Sequence, residues 1–111
     1  MHELSIAEEL LDIIYRYAEN AGINKISSVN LRIGEFSGIF PDSLEFAFGV
    51  LSEGKITENA DLKIEKVSPK YVCQECGFCS GEYSENCKKC GSEEMSIEGG
   101  SELEIDSFEG E

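Results

Sequence analysis

Gly99-Gly100-Ser101-Glu102-Leu103-Glu104-Ile105-Asp106 is the stretch on which the architecture turns. The paired glycines make a hinge. Behind them Leu103 and Ile105 alternate with Glu102, Glu104 and Asp106, the period of two of a half-buried strand. The segment just before it, from about Tyr71 to Met95, holds five cysteines and few aliphatic side chains, so it cannot make an ordinary core. A lobe of that size has no place for the strand. The strand is therefore expected to return to a sheet built earlier in the chain, which makes the cysteine lobe an insertion.

Upstream, the elements of that sheet are readable. Leu4, Ala7, Leu10, Leu11, Ile14, Tyr17, Ala18 and Ala21 fall at helical spacing and form one apolar face, expected to be core. Ser5 followed by Glu8 reads as a capping box, with a start one or two residues earlier also compatible. Asn20 and Gly22 stop this helix. Between Lys25 and Phe36, Val29, Leu31 and Ile33 alternate with Asn30, Arg32 and Gly34, predicting a strand. Gly38 interrupts the pattern and Pro41 suits the first position of a second helix. On that helix Phe40, Leu44, Phe48 and Leu51 recur at helical spacing with Ala47 beside them, and Ser52, Glu53 and Gly54 end it. A further strand is predicted near residues 60–67, where Leu62 and Ile64 alternate with Asp61, Lys63 and Glu65, and Pro69 closes it.

The cysteine segment needs another source of order. Cys73-Gln74-Glu75-Cys76-Gly77 and Cys87-Lys88-Lys89-Cys90-Gly91 are twin CxxCG motifs. Two thiolates three positions apart bind one ion from a tight turn, and the following glycine lets the backbone adopt a left-handed or close-approach conformation. Two such knuckles place four sulfurs at the corners of a tetrahedron. Zinc suits a closed set of four thiolates and needs no redox chemistry, while iron fits the same ligands and gives a rubredoxin-like centre. The bland alternative is four unligated buried thiols, which leaves the twin motifs unexplained. Cys79, the fifth cysteine, forms a shifted CxxC with Cys76, but Ser80 follows it where the knuckles carry glycine. It is read as a free thiol outside the set, with a labile ligand or redox switch as the alternative. The fold class is α+β: a three-stranded sheet with two helices, plus a small inserted zinc-ribbon-like lobe. Residues 1–68 and 100–111 would form the main domain and residues 69–99 the cysteine lobe.

His2 is the sole histidine. At a second position a residue usually does nothing, yet its chemistry here is specific. A bulky second residue retains Met1. The Met1 amine, the His2 backbone nitrogen once deprotonated and the His2 imidazole then chelate one ion through adjacent rings. Nitrogen donors in a square plane suit nickel(II) and copper(II). The fourth position falls to Glu3, a water, a thiol such as Cys79, or a partner protein, and a labile fourth ligand is what a carrier requires.

Composition excludes several classes. Acidic residues outnumber basic ones 23 to 9, for a formal net charge of −14, and the basic residues form no stripe, which argues against nucleic acid. No apolar run reaches membrane-helix length, so no membrane partner is expected. The acidic N-terminus has no basic and apolar signal pattern, and cysteines in a cytoplasmic chain point to metal or thiol chemistry before disulfides. No nucleophile–base constellation is present, so the chain is not expected to be an enzyme.

The combination of Met1-His2-Glu3-Leu4-Ser5 with Cys73, Cys76, Cys87 and Cys90 resembles the HypA/HybF family of hydrogenase-maturation nickel chaperones. The likeness extends through Val29-Asn30-Leu31-Arg32-Ile33-Gly34-Glu35, the Pro41–Phe48 helix and the acidic terminal strand, so it covers nearly the whole chain. It implies a carrier that hands nickel to the large-subunit precursor of a nickel–iron hydrogenase, and in some organisms to urease. It also implies a maturation GTPase of the HypB type as partner. Monomer or homodimer stays open, since a thin core with exchangeable strands is compatible with a swapped dimer. On this resemblance nickel belongs to His2 with Met1 and Glu3 adjoining, and structural zinc to Cys73, Cys76, Cys87 and Cys90. Cys79 has no counterpart in the family motif. The rivals are a zinc-ribbon protein–protein adaptor without metal transfer and a rubredoxin-like electron carrier.

Overall fold

The computed structural model describes residues 2–111; Met1 and the side chain of His2 lie outside what it describes. Helix α1 (His2–Ala21) is followed by strand β1 (Ile26–Gly34), helix α2 (Pro41–Leu51) and strand β2 (Asp61–Val67). Three short strands follow, β3 (Lys70–Cys73), β4 (Cys79–Ser80) and β5 (Met95–Glu98), and β6 (Leu103–Gly110) ends the chain.

β1 is the centre of the main sheet, in the order β2-β1-β6. It pairs parallel with β2, Val29 opposite Leu62 and Leu31 opposite Ile64. Parallel neighbours need a crossover, and α2 supplies it. The other edge of β1 takes β6 antiparallel, with Ile33 opposite Leu103 and Val29 opposite Phe108. The last strand thus returns to the first, and the cysteine lobe is inserted between β2 and β6. The sequence followed β6 only as far as Asp106. A register shift opposite Asn30 and Leu31 places the inward Ile105 and Phe108 three residues apart, and that bulge breaks the period of two.

The core lies between this sheet and the two helices. Ala7, Leu10, Leu11, Ile14 and Ala18 from α1 meet Ile26, Val29, Leu31 and Ile33 from β1 and Leu44, Ala47 and Phe48 from α2. Three residues expected in the α1 core face are outside it: Leu4 and Tyr17 are exposed, as is Ala21 at the helix end. Phe40, ahead of α2, is also exposed. The buried stripe is narrower than the apolar pattern because only one side of α1 faces the sheet. Leu4 turns toward the exposed Phe46 and Val50 of α2, and Tyr17 toward β6. Helix α1 also starts at His2, three residues before Ser5, so Ser5 and Glu8 are interior residues and form no capping box. Its C-terminus is a Schellman motif: Ile23 N–H reaches the Ala18 carbonyl at 2.8 Å, Gly22 N–H reaches that of Glu19 at 3.2 Å, and Gly22 takes a φ of 72°. Behind α1, Tyr15 Oη lies 2.9 Å from Thr57 Oγ1, which donates to Ser52 Oγ at 2.7 Å, satisfying two buried hydroxyls in the loop after α2.

The second sheet has the order β4-β3-β5, all antiparallel. The lobe and the main sheet meet where β1 ends. Glu35 N–H donates to the carbonyl of Val67 on the way out (2.8 Å) and Phe36 N–H to that of Gly100 on the way back (2.6 Å). Gly34 fits there because a Cβ at that position would lie 2.2 Å from the Gly100 oxygen.

Candidate metal centres

Between residues 71 and 98, Cys73 and Cys87 are the fully buried side chains among those described. With no fully buried aliphatic core, the lobe depends on its sulfurs beyond what its short strands supply. The fold brings Cys73, Cys76, Cys87 and Cys90 together with all four ligand atoms within 4.8 Å of one another. Sγ of Cys73 lies 3.6 Å from that of Cys90, and Cys76 Sγ lies 3.6 Å from Cys87 Sγ. A disulfide needs about 2.05 Å, whereas a tetrahedron with metal–sulfur bonds of about 2.3 Å has sulfur–sulfur edges of about 3.8 Å. The separations fit one shared ion.

Each CxxCG motif folds into the same knuckle. Gly77 N–H donates to the Cys73 carbonyl at 2.9 Å and Gly91 N–H to the Cys87 carbonyl at 2.7 Å. Both glycines take the left-handed φ, 78° and 77°, in which a side chain is strained. The turns then aim backbone N–H groups at the first sulfur of each motif: Cys76 N at Cys73 Sγ (3.5 Å), and Lys89 N and Cys90 N at Cys87 Sγ (3.3 and 3.4 Å). The motif was legible; these amide donors were not, because they are backbone groups.

The four thiols are consequently unequal. The Cys76 backbone N–H holds the Cys73 thiol below its ordinary value of 9.0 against the opposing effect of burial. At Cys87 burial pushes upward, but the N–H groups of Cys90 and Lys89 outweigh it and bring the pKa to about 6. Cys90 is helped by the Ser92 N–H, yet the sulfurs of Cys76 and Cys73 oppose a further negative charge and raise it to about 12. The cluster is half-prepared for a cation: backbone N–H groups shift the Cys73 and Cys87 sulfurs toward the thiolate, while the neighbouring sulfurs oppose ionisation of Cys90.

Cys79, exposed on β4 opposite Val72, is not among these four sulfurs. At the N-terminus His2 opens α1 and Glu3 occupies its first turn. The expected nickel ligands Met1 and the His2 side chain lie outside the described residues. Glu3 is described, and its Oε2 accepts a hydrogen bond from the backbone N of Phe40 at 3.2 Å. Among the described residues no helix is long and apolar enough to cross a membrane.

Fold and site together define a class: small α+β proteins in which a four-cysteine metal lobe is inserted ahead of the last strand of a helix-covered sheet. The family described as hydrogenase/urease nickel incorporation, metallochaperone, hypA matches residues 1–110. The chain belongs to this HypA family. It is 40% identical over 111 residues to the hydrogenase maturation factor HypA of Dehalococcoides mccartyi, covering 98% of this chain and 93% of the relative. It is 38% identical to that of Moorella thermoacetica over 113 residues, covering both chains completely. Among solved structures, a solution structure of HypA protein superposes with a TM-score of 0.77 at 26% identity, covering 99% of this chain and 96% of that one. The solution structure of the nickel metallochaperone HypA from Helicobacter pylori gives 0.68 at 25% identity, covering 97% and 96%.

Proposed function

We propose that the protein is a cytoplasmic nickel carrier. It binds Ni(II) at its N-terminus through the Met1 amine, the His2 backbone nitrogen and the His2 imidazole, with Glu3 adjoining. It delivers the ion to the large-subunit precursor of a nickel–iron hydrogenase, or to urease, with a maturation GTPase of the HypB type as partner. It works by binding and release, not as an enzyme. Residues 1–68 and 100–111 form the nickel-binding part, and residues 69–99 form a structural zinc lobe. Zinc is the favoured occupant of the four sulfurs because closed tetrahedral thiolate coordination suits it and leaves no open position for chemistry. This separates the two metals by role: zinc folds the lobe and nickel travels.

One observation carries the nickel reading beyond family membership. The sole histidine of the chain stands at the first residue of α1, directly behind the N-terminal amine. An amine, an amide nitrogen and an imidazole on adjacent residues suit nickel(II). The test is a calorimetric nickel titration of the native chain, of His2→Ala and of a version with extra residues before Met1, each assayed for zinc. Loss of nickel binding in both variants, with one zinc per chain retained, supports the carrier. Undiminished nickel affinity in both moves the site elsewhere and sinks it.

A further inference from the structure

Phe40 stands at the N-cap of α2, where the backbone is extended and the residue's own side chain makes no capping hydrogen bond. In a capping box, a Glu or Gln at the third helical position reaches back to the N–H of the capping residue. Here that position holds Ser43, too short for the purpose. The Phe40 N–H is nevertheless taken, by Glu3 Oε2 at 3.2 Å from the first turn of α1. An acid 37 residues away in sequence performs the half of the box that α2 lacks.

The other end of this contact is firmly tied. Phe36 and Glu35, a few residues before Phe40, donate to Gly100 after the cysteine lobe and to Val67 at the end of β2 before it, and Ile39 N–H donates to Ser37 Oγ at 3.2 Å. Glu3 therefore grips a loop tied to the lobe junction, while its own chain neighbour is His2.

We propose that Glu3 is a positioning residue of the N-terminal nickel site, its carboxylate capping α2 at Phe40 and so holding the first turn of α1 in place. This rests on the nickel reading above and reassigns one of its residues: Glu3 contributes by where it puts His2, with its side-chain oxygens engaged at Phe40.

The test compares Glu3→Ala with Glu3→Gln in the full chain with its lobe metal in place. Gln keeps a carbonyl oxygen that accepts from Phe40 and loses the charge a metal ligand would supply. Amide exchange at Phe40 is measured without nickel, then nickel affinity by calorimetry. Glu3→Ala is expected to speed Phe40 exchange and weaken nickel binding, each by about fivefold, the equivalent of one hydrogen bond. Glu3→Gln should change neither by more than about twofold. Equal loss of nickel affinity in both variants with Phe40 still protected overturns the proposal and makes the carboxylate a ligand. Faster Phe40 exchange with unchanged nickel affinity in Glu3→Ala overturns it too. Failure of the nickel reading itself is distinguishable: nickel binding survives the N-terminal extension, and the Phe40 exchange ratio stays as it was.

Discussion

Replacing Gly34 with alanine tests the junction between sheet and lobe. A Cβ there would lie 2.2 Å from the Gly100 oxygen and 2.5 Å from the Glu102 nitrogen. Both are backbone atoms, so no side chain can swing aside. Relief requires the returning linker and the start of β6 to move off β1. Two hydrogen bonds go with them, Gly34 N–H to the Glu102 carbonyl (2.7 Å) and Phe36 N–H to the Gly100 carbonyl (2.6 Å). At about 1 kcal/mol net each, the loss is about 2 kcal/mol. Restricting the unfolded chain returns about 0.4–1 kcal/mol, so Gly34→Ala should destabilise by about 1–2 kcal/mol. Gly49→Ala is the matched control. Gly49 lies inside α2, a Cβ there meets nothing within 4 Å, and alanine is the better helix former by about 1 kcal/mol. The same chemical change should therefore have opposite signs at the two sites. Urea unfolding at constant metal load reads both, with unchanged slope and a shifted midpoint. A Gly34→Ala variant as stable as the parent would refute the close-approach argument.

Three further outcomes follow from the same geometry. Cys90→Ser should abolish metal retention by the four-sulfur cluster and expose the amides of Cys87 and Gly91 to rapid exchange, while the β2-β1-β6 sheet keeps its protection; a variant still holding one zinc at normal thermal stability contradicts the assignment. Zinc affinity should fall with falling pH, because protons compete for the sulfurs. Since the metal-free Cys87 thiol sits at about 6 and is already a thiolate above that, the slope of log affinity against pH should steepen by about one proton below pH ~6, read by competition titration against a chelator. Tyr15→Phe should cost about 1 kcal/mol in denaturant unfolding, and Thr57→Val more, because valine also leaves the buried Ser52 hydroxyl without its donor.

What the sequence made legible follows the range of the interaction behind it. The knuckles were readable because their ligands and glycines are local. So was the return of the last strand, since an alternating segment with no partner nearby must find one further off. The lobe strands β3, β4 and β5 were missed: they run two to four residues, too short for any period to register. Burial on α1 was over-read at Leu4 and Tyr17, whose spacing matches the core stripe but which lie at its margins, Leu4 beside α2 and Tyr17 beside the edge strand β6. The Ser5–Glu8 pattern misled for a related reason. A capping box is a local signal, and the helix continued through it to His2. The cap that does exist, Glu3 on Phe40, joins the first turn of α1 to the residue just before α2 and has no signature in either segment.

The position of β6 bears on the order in which the molecule is made. The central strand waits for its second partner until the final residues of the chain, across a connection from Val67 to Leu103. Closing a connection of that length carries an entropic cost that grows by about 0.6 kcal/mol with each doubling of the loop. An ion shared by Cys73 and Cys90 short-circuits roughly half of it, which lowers that cost by about the same 0.6 kcal/mol. Metal captured by the lobe before the last strand docks therefore hastens completion of a sheet it never touches. A chain synthesised under metal starvation should refold its main sheet about threefold more slowly, with the final structure of that sheet unchanged.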